Sequence, residues 1–189
     1  MPTIPASELV GEGRHYQPMK NLLITLLIVL LTRVGYSDDS AAIQKLAKTA
    51  FEALKANDQK TFVLCWAPPD LIIQELLKLP EDGEIRRGKS VKFLREDFER
   101  VQDQVVLCFE QTQRYFKEQG ILTEQIELVK VDVANVKVKD GLKTCTRVVL
   151  HFSSGDDNYR LYLDDAFYLN EKWMLIDNPD TKPTKLRKK

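Results

Sequence analysis

The hydrophobic pattern of the chain changes its period once, near Ile126, and this change limits what the chain can fold into. Before Ile126, apolar residues recur every three or four positions, as on one face of a helix. After it, apolar and polar residues alternate, as in strands with one buried face. Helices followed by strands predict an α+β fold, with N-terminal helices packed on one face of a curved four-stranded antiparallel meander.

Local signals place the helices. Asp39 or Ser40 is a candidate N-cap for the first one, which carries a regular apolar stripe. Two short helices should flank the next proline pair, and Pro69 is suited to open the second of them. Ser90 should cap a long helix, and Gly120 should end it in a left-handed conformation.

Four alternating segments predict the strands, and their turns set a register. The segments are IELVKVDVANVKVK, LKTCTRVVLHF, YRLYLDDAFYL and WMLID. Asp140-Gly141 is typical of a two-residue hairpin turn, so Lys139 should face Leu142. The register then predicts these apolar pairs on one face: Val133 with Val148, Val131 with Leu150, Val129 with Phe152, Phe152 with Tyr159, Leu150 with Leu161, and Val148 with Leu163.

The opposite face of the predicted sheet is polar. It carries Lys130, Asp132, Lys143, Arg147, His151, Arg160, Tyr162 and Asp164, with Arg147 opposite Asp164 and His151 opposite Arg160. We interpret it as a solvated face with weak cross-strand ion pairs. His151 should be a poor general base there, because no carboxylate is predicted to orient it.

Three polar residues on the apolar face are the candidate catalytic residues. Thr146 should face Asp165, and a three-residue connection before the last strand would place Asp165 opposite Asp177. Two carboxylates on a partly buried surface can share a proton, which suits acid and base catalysis near neutral pH. A two-residue turn would instead move Asp177 to the other face and separate the pair.

An apolar run near the N-terminus predicts export. Leu22–Leu31 contains ten residues, broken only by Thr25, which suits a secretory signal better than a membrane span. Lys20 precedes the run, and small residues favour cleavage after Ser37. We therefore expect residues 1–37 to be a leader, and the mature protein to be secreted or periplasmic. Either translation starts at Met19, which we favour, or the signal has an unusually long N-terminal extension. An uncleaved anchor and a buried helix are the alternatives.

The remaining chain should form a single α+β domain over residues 38–180, followed by a basic, disordered tail over 181–189. The chain has 28 basic and 28 acidic side chains, which disfavours nucleic acid or an anionic membrane as its main partner. The tail alone could dock on an anionic surface. After signal cleavage, no membrane span is expected.

Cysteine usage and missing motifs exclude several kinds of site. Cys65, Cys108 and Cys145 are widely spaced, and at least one of them must stay unpaired. Export would permit one disulfide, but we expect Cys65 and Cys108 to be buried thiols, because both lie in apolar helical segments. The mature chain has one histidine and no phosphate-binding loop, zinc-ligand spacing or serine elbow. No metal or cofactor is therefore predicted.

Two segments resemble the nuclear transport factor 2-like superfamily of cystatin-related α+β cones. These are AAIQKLAKTAFEALKANDQKTFVLCW, residues 41–66, and the region over residues 159–179, whose second half reads FYLNEKWMLIDNP. The resemblance implies helices packed on a bent sheet, with a pocket between them that members use for ligands, catalysis or partners. Tyr159, Phe167 and Trp173 are the candidate ligand contacts in such a pocket.

Three functions remain open on the sequence. The first is an exported, non-catalytic domain that binds a small apolar ligand or a protein partner in the helix-sheet cleft. The second is a small isomerase, cyclase or hydrolase that uses Asp165 with Thr146 or Asp177. The third is an envelope structural protein that self-associates as a homo-oligomer. The sequence favours a binding protein over an enzyme, because no catalytic motif is present.

Overall fold

The computed structural model describes residues 38–180 and 182–187, and the predicted leader lies outside the described residues. Helices precede an antiparallel sheet, which confirms the α+β class. The helices are α1 (residues 38–55), α2 (Gln59–Val63), α3 (Pro69–Leu76) and α4 (Val91–Glu118), with a 3-10 turn at Thr123–Gln125. The strands are β1 (Ile126–Ala134), β2 (Lys137–Lys139), β3 (Leu142–Ser154), β4 (Asp157–Leu169), β5 (Lys172–Leu175) and β6 (Thr184–Lys185).

The ends of the long helix follow the sequence signals. The Ser90 hydroxyl accepts a hydrogen bond from the Phe93 amide at the start of α4, as expected of an N-cap. Gly120 follows α4 with a φ of +66°, the predicted left-handed conformation. The predicted cap at Asp39 or Ser40 is wrong, because both residues are already helical.

The sheet has the strand order β1-β3-β4-β5, so the predicted four-stranded meander is present with two short additions. β2 continues the line of β1 beside β3 after an interruption at Asn135, whose φ is +57°. β6 pairs with β4 and lies in the tail, so residues 184–185 differ from the predicted disorder. At the β5 edge, Trp66 forms a parallel bridge with Leu175 that covers part of this edge.

Most of the predicted register is confirmed. Around the Asp140-Gly141 turn, Lys139 pairs with Leu142. The observed pairs also include Val133 with Val148, Val131 with Leu150, Phe152 with Tyr159, and Leu150 with Leu161. These apolar residues share one face because paired side chains in an antiparallel sheet point the same way. We call this the inner face.

Two irregularities shift the rest of the register. At the first, Leu128 rather than Val129 pairs with Phe152, and Val129 is 60% exposed. At the second, Val148 pairs with Asp164, one residue later than predicted, and Asp164 has a φ of +55°. A bulge adds one residue to a strand and turns the following side chains to the other face. The predicted alternation in β1 and β4 therefore fails at these two positions.

Helices α1, α2 and α4 cover the inner face, and aromatic rings fill the space between the two layers. The Phe152 ring centroid lies 5.8 Å from Phe51, 6.0 Å from Phe116 and 5.4 Å from Tyr159. Truncating a buried phenylalanine such as Phe152 to alanine typically costs about 3–5 kcal/mol of unfolding free energy. The inner face is thus both the main core and a well-packed interior.

A second, smaller core lies on the other side of the β4-β5 hairpin. Side chains that alternate with the inner-face positions along β4 and β5 point this way. They pack with α3 and with the first turns of α4, and the buried members are Ala67, Ile72, Ile73, Leu76, Leu94, Leu142, Leu169, Met174 and Ile176. Apolar side chains thus cover both faces of the sheet near the β4-β5 hairpin. Farther from this hairpin, the face opposite the main core is open.

Candidate functional site

The turn between β4 and β5 decides where the candidate carboxylates lie. It has two residues, Asn170 and Glu171, with φ of +45° and +64°, as a two-residue hairpin turn requires. The three-residue connection, and with it the facing of Asp165 and Asp177, is therefore wrong. In the observed register, the Asp165 carbonyl accepts a hydrogen bond from the Ile176 amide at 3.0 Å.

Asp177 is instead level with Asp164, and four aspartates surround the irregularity in β4. We call Asp164, Asp165, Asp177 and Asp180 the acidic bulge. Burial, followed by repulsion from Asp177, Asp180 and Asp165, raises the pKa of Asp164 to about 6. Burial and then Asp177 also raise the pKa of Asp165, although Lys139 and Lys137 oppose the shift.

The predicted catalytic residues are only partly brought together. Asp165 and Thr146 line one groove of about 240 Å³, but Asp177 is not among its lining residues. The Thr146 hydroxyl accepts a hydrogen bond from the Asn135 side chain at 3.1 Å. Asp164 has the pKa of a useful acid or base, yet it does not line this groove either. Among the described residues, no group of three or more side chains is placed to bind a metal.

The predicted ligand contacts do not share a cleft. Tyr159 is 5% exposed and stacks on Phe152 in the main core. Trp173 is also 5% exposed, and its indole N–H donates to the Asp39 carboxylate at 3.2 Å. Phe167 packs against the second core on the other face. Trp173 instead lines a separate groove of about 470 Å³, formed by α1 and the β4-β5 hairpin, to which neither Tyr159 nor Phe167 contributes.

An open groove lies on the face of the sheet opposite the main core. Its volume is about 530 Å³, and we call it the outer groove. The lining side chains that matter here are Asp132 from β1, Arg147, Val149 and His151 from β3, and Arg160 and Tyr162 from β4. Tyr162 pairs with buried Val149 across the strands, and the two form the floor.

His151 has a carboxylate partner in this groove. Its Nε2 lies 2.8 Å from Asp132 Oδ2 on the neighbouring strand. A hydrogen bond from Lys130 and, secondarily, the charge and hydrogen bond of His151 lower the pKa of Asp132. The prediction that no carboxylate orients His151 is therefore wrong. The direct cross-strand partner of His151 is Lys130, and Asp132 contacts His151 diagonally from two residues farther along β1. The position of Asp132 and His151 on the same face of the predicted sheet could have indicated this contact.

Two arginines in the outer groove have no acidic partner in the part of the chain that the structure describes. Exposed Arg147 does not form the predicted ion pair with Asp164, because Val148 takes the position opposite that residue. The Arg160 guanidinium lies 5.3 Å from the Tyr162 ring centroid, and its buried Nε has no hydrogen-bond partner. The groove therefore carries two uncompensated positive charges.

The cysteines form no reactive site. Cys65, Cys108 and Cys145 are all unpaired and buried, which confirms the prediction made for the first two. Burial raises the pKa of the Cys65 thiol to about 11, and burial also raises the pKa of Cys108 and Cys145. Because the thiolate is the nucleophile, these side chains are unreactive at neutral pH.

Comparisons with known proteins identify no relative. The sequence matches no known family, and no curated protein or solved structure is similar to it. Across residues 38–180 and 182–187, every helix is too short or too polar to cross a bilayer.

The acidic bulge predicts an unusual pH dependence of stability. An unfolded aspartate has a pKa near 3.9, whereas that of Asp164 is about 6 in the folded protein. The folded state therefore binds the proton more tightly, and this stabilisation is present below about pH 4 and lost as the pH rises through 6. We expect Asp164→Asn to raise the unfolding free energy at pH 7.5 by about 1–2 kcal/mol, allowing for partial solvent screening.

Urea denaturation at pH 4.5 and pH 7.5 checks this expectation. Asparagine tolerates positive φ as aspartate does, so the substitution preserves the bulge. Asp103→Asn is the matched control, since it removes an exposed carboxylate from α4. The gain should be small at pH 4.5 and absent from the control. Equal gains at the two pH values, or a loss at pH 7.5, would show that Asp164 is not a destabilising charge.

Proposed function

We propose that the chain is a non-catalytic binding domain that holds its ligand or partner in the outer groove. The observation that carries this proposal is the contrast between the two faces of the sheet. The inner face is filled by aromatic side chains, whereas an open groove of about 530 Å³ lies on the other face. A binding site needs accessible space, and polar groups that fix a ligand's orientation.

The groove has features that suit binding more than catalysis. Apart from Gln44 of α1, its lining residues come from three paired strands, which hold them at fixed spacings. His151 is oriented by Asp132, and the Tyr162 ring offers an amphipathic floor. The acidic bulge, which would supply acid and base chemistry, contributes no lining residue to it.

NMR titration with a fragment library tests the location of the site. We expect bound fragments to shift the backbone amides of His151, Arg160 and Tyr162, because these residues line the groove. Tyr162→Ala should weaken binding, whereas Tyr115→Ala on α4 is a matched control away from the groove. Fragments that shift mainly the residues around Phe152 and Trp173 would place the site inside the helix-sheet interface and overturn the proposal.

We also propose that the protein is exported and that its mature form begins near Asp38. The support is the ten-residue apolar run Leu22–Leu31 with small residues before the acidic pair at 38–39. N-terminal sequencing of the protein from its native source should start within a residue or two of Asp38. A cytosolic protein that begins at Met1 or Met19 would contradict this proposal, and the three thiols would then lie in a reducing compartment.

The resemblance to nuclear transport factor 2-like cones is likewise retained as a proposal. A curled antiparallel sheet covered by helices supports it at the level of architecture. We infer no function from this resemblance, because one fold of this kind supports many unrelated activities.

A further inference from the structure

We propose that the outer groove binds a phosphoryl dianion, held between Arg147 and Arg160. This inference rests on the proposed function and names the chemical class of the ligand. It is carried by the two unpaired guanidinium groups, by their placement on either side of one floor, and by the charge that remains in the groove.

The charges in the groove do not cancel. Lys130 and Asp132 are in contact at 2.8 Å and offset each other, and His151 bonds to the same carboxylate. Neither Arg147 nor Arg160 has an acidic partner among the described residues, so about two positive charges remain. Elsewhere, arginines such as Arg95 do pair with carboxylates. A dianion therefore matches the groove better than a monoanion or a neutral ligand.

The strand register places the two arginines so that they can converge. Arg160 pairs with His151, and Arg147 lies four residues from His151 on β3, about 13 Å along the strand. The floor formed by Tyr162 and Val149 lies between these positions. Arg160 already leans over this floor, since its guanidinium lies 5.3 Å from the Tyr162 ring centroid.

An unsatisfied hydrogen-bond donor in the groove also supports a phosphoryl ligand. Arg160 has a buried Nε–H without an acceptor in the described residues, and buried donors normally have one. Guanidinium groups donate pairs of parallel hydrogen bonds that match phosphate oxygens. A phosphoryl group on the floor could accept hydrogen bonds from both guanidinium groups, including the Arg160 side chain whose Nε–H has no acceptor in the described residues.

The test is NMR titration of the full chain at low salt with four probes. These are inorganic phosphate, glycerol phosphate as a soluble phosphomonoester, succinate as a dicarboxylate of equal charge, and neutral glycerol. We expect the two phosphates to shift the amides of Arg147, Arg160 and Tyr162, and succinate to bind more weakly. Binding should weaken as salt is raised, because charge contributes to it.

Substitutions identify the groups responsible. Arg147→Gln and Arg160→Gln should each weaken phosphate binding by about ten-fold or more, and Arg160→Lys by less, because lysine keeps the charge without the paired donors. Arg114→Gln removes an exposed arginine from α4 and should leave binding unchanged. Thermal unfolding of each variant verifies that it is folded. If a glutamine variant is unfolded, the phosphate affinity of the lysine variant at the same position is compared with that of the unmodified protein instead.

The outcomes separate this inference from the proposed function. If neutral fragments bind in the groove but neither phosphate does, the groove is a binding site and the phosphoryl inference is wrong. Phosphate binding that survives both glutamine substitutions, or succinate binding more tightly than phosphate, also overturns the inference. If neither fragments nor phosphates bind there, both proposals fail.

Discussion

The packing of Phe152 is the interaction on which the rest of the structure depends. Its ring lies within 6.0 Å of the rings of Phe51, Phe116 and Tyr159, so one side chain of β3 joins α1, α4 and β4. Aromatic groups of this size bury large apolar areas and interlock with little free volume. Filling the inner face has a second effect, because it leaves the part of the opposite face that the second core does not cover as the accessible surface of the sheet. The open groove there is a consequence of where the core lies.

Much of the sheet could be predicted because two independent signals agree. Asp140 and Gly141 both have positive φ, 51° and 90°, and their turn sets a register in which the strictly alternating segments align. The positions around Val129 and Asp164 could not be predicted, since a bulge leaves the composition of a strand unchanged and alters only its pairing. The start of the first helix could not be predicted because tertiary contacts decide it. Asp39 is a good capping residue, but inside α1 its carboxylate contacts Lys143 and Trp173, which are distant in sequence.

The candidate site was harder to predict than the fold, because the position of each candidate side chain depended on a single local feature, such as the length of one turn. The two-residue turn at Asn170-Glu171 places a glutamate at positive φ, which sequence preference does not favour, and it separates Asp165 from Asp177. The same turn brings Asp177 level with Asp164, where mutual repulsion and burial raise the pKa of Asp164. His151 shows the opposite case. The sequence predicts the correct face for His151 and Asp132, but their contact runs diagonally between strands and does not follow from the directly opposed pairs of the register.

The central claim is that side chains fill the interior between the helices and the sheet, and for that reason we propose the outer groove as the binding surface. Xenon enters dry apolar cavities and reports them directly, and the purified protein can be examined under xenon pressure by NMR or crystallography. Phe152→Ala is the positive control, since removing the central ring should open a cavity beside Phe51 and Phe116 that xenon can occupy. We expect no xenon between the helices and the sheet of the unmodified protein. A xenon site there, next to an intact Phe152, would reveal an internal cleft and contradict the account.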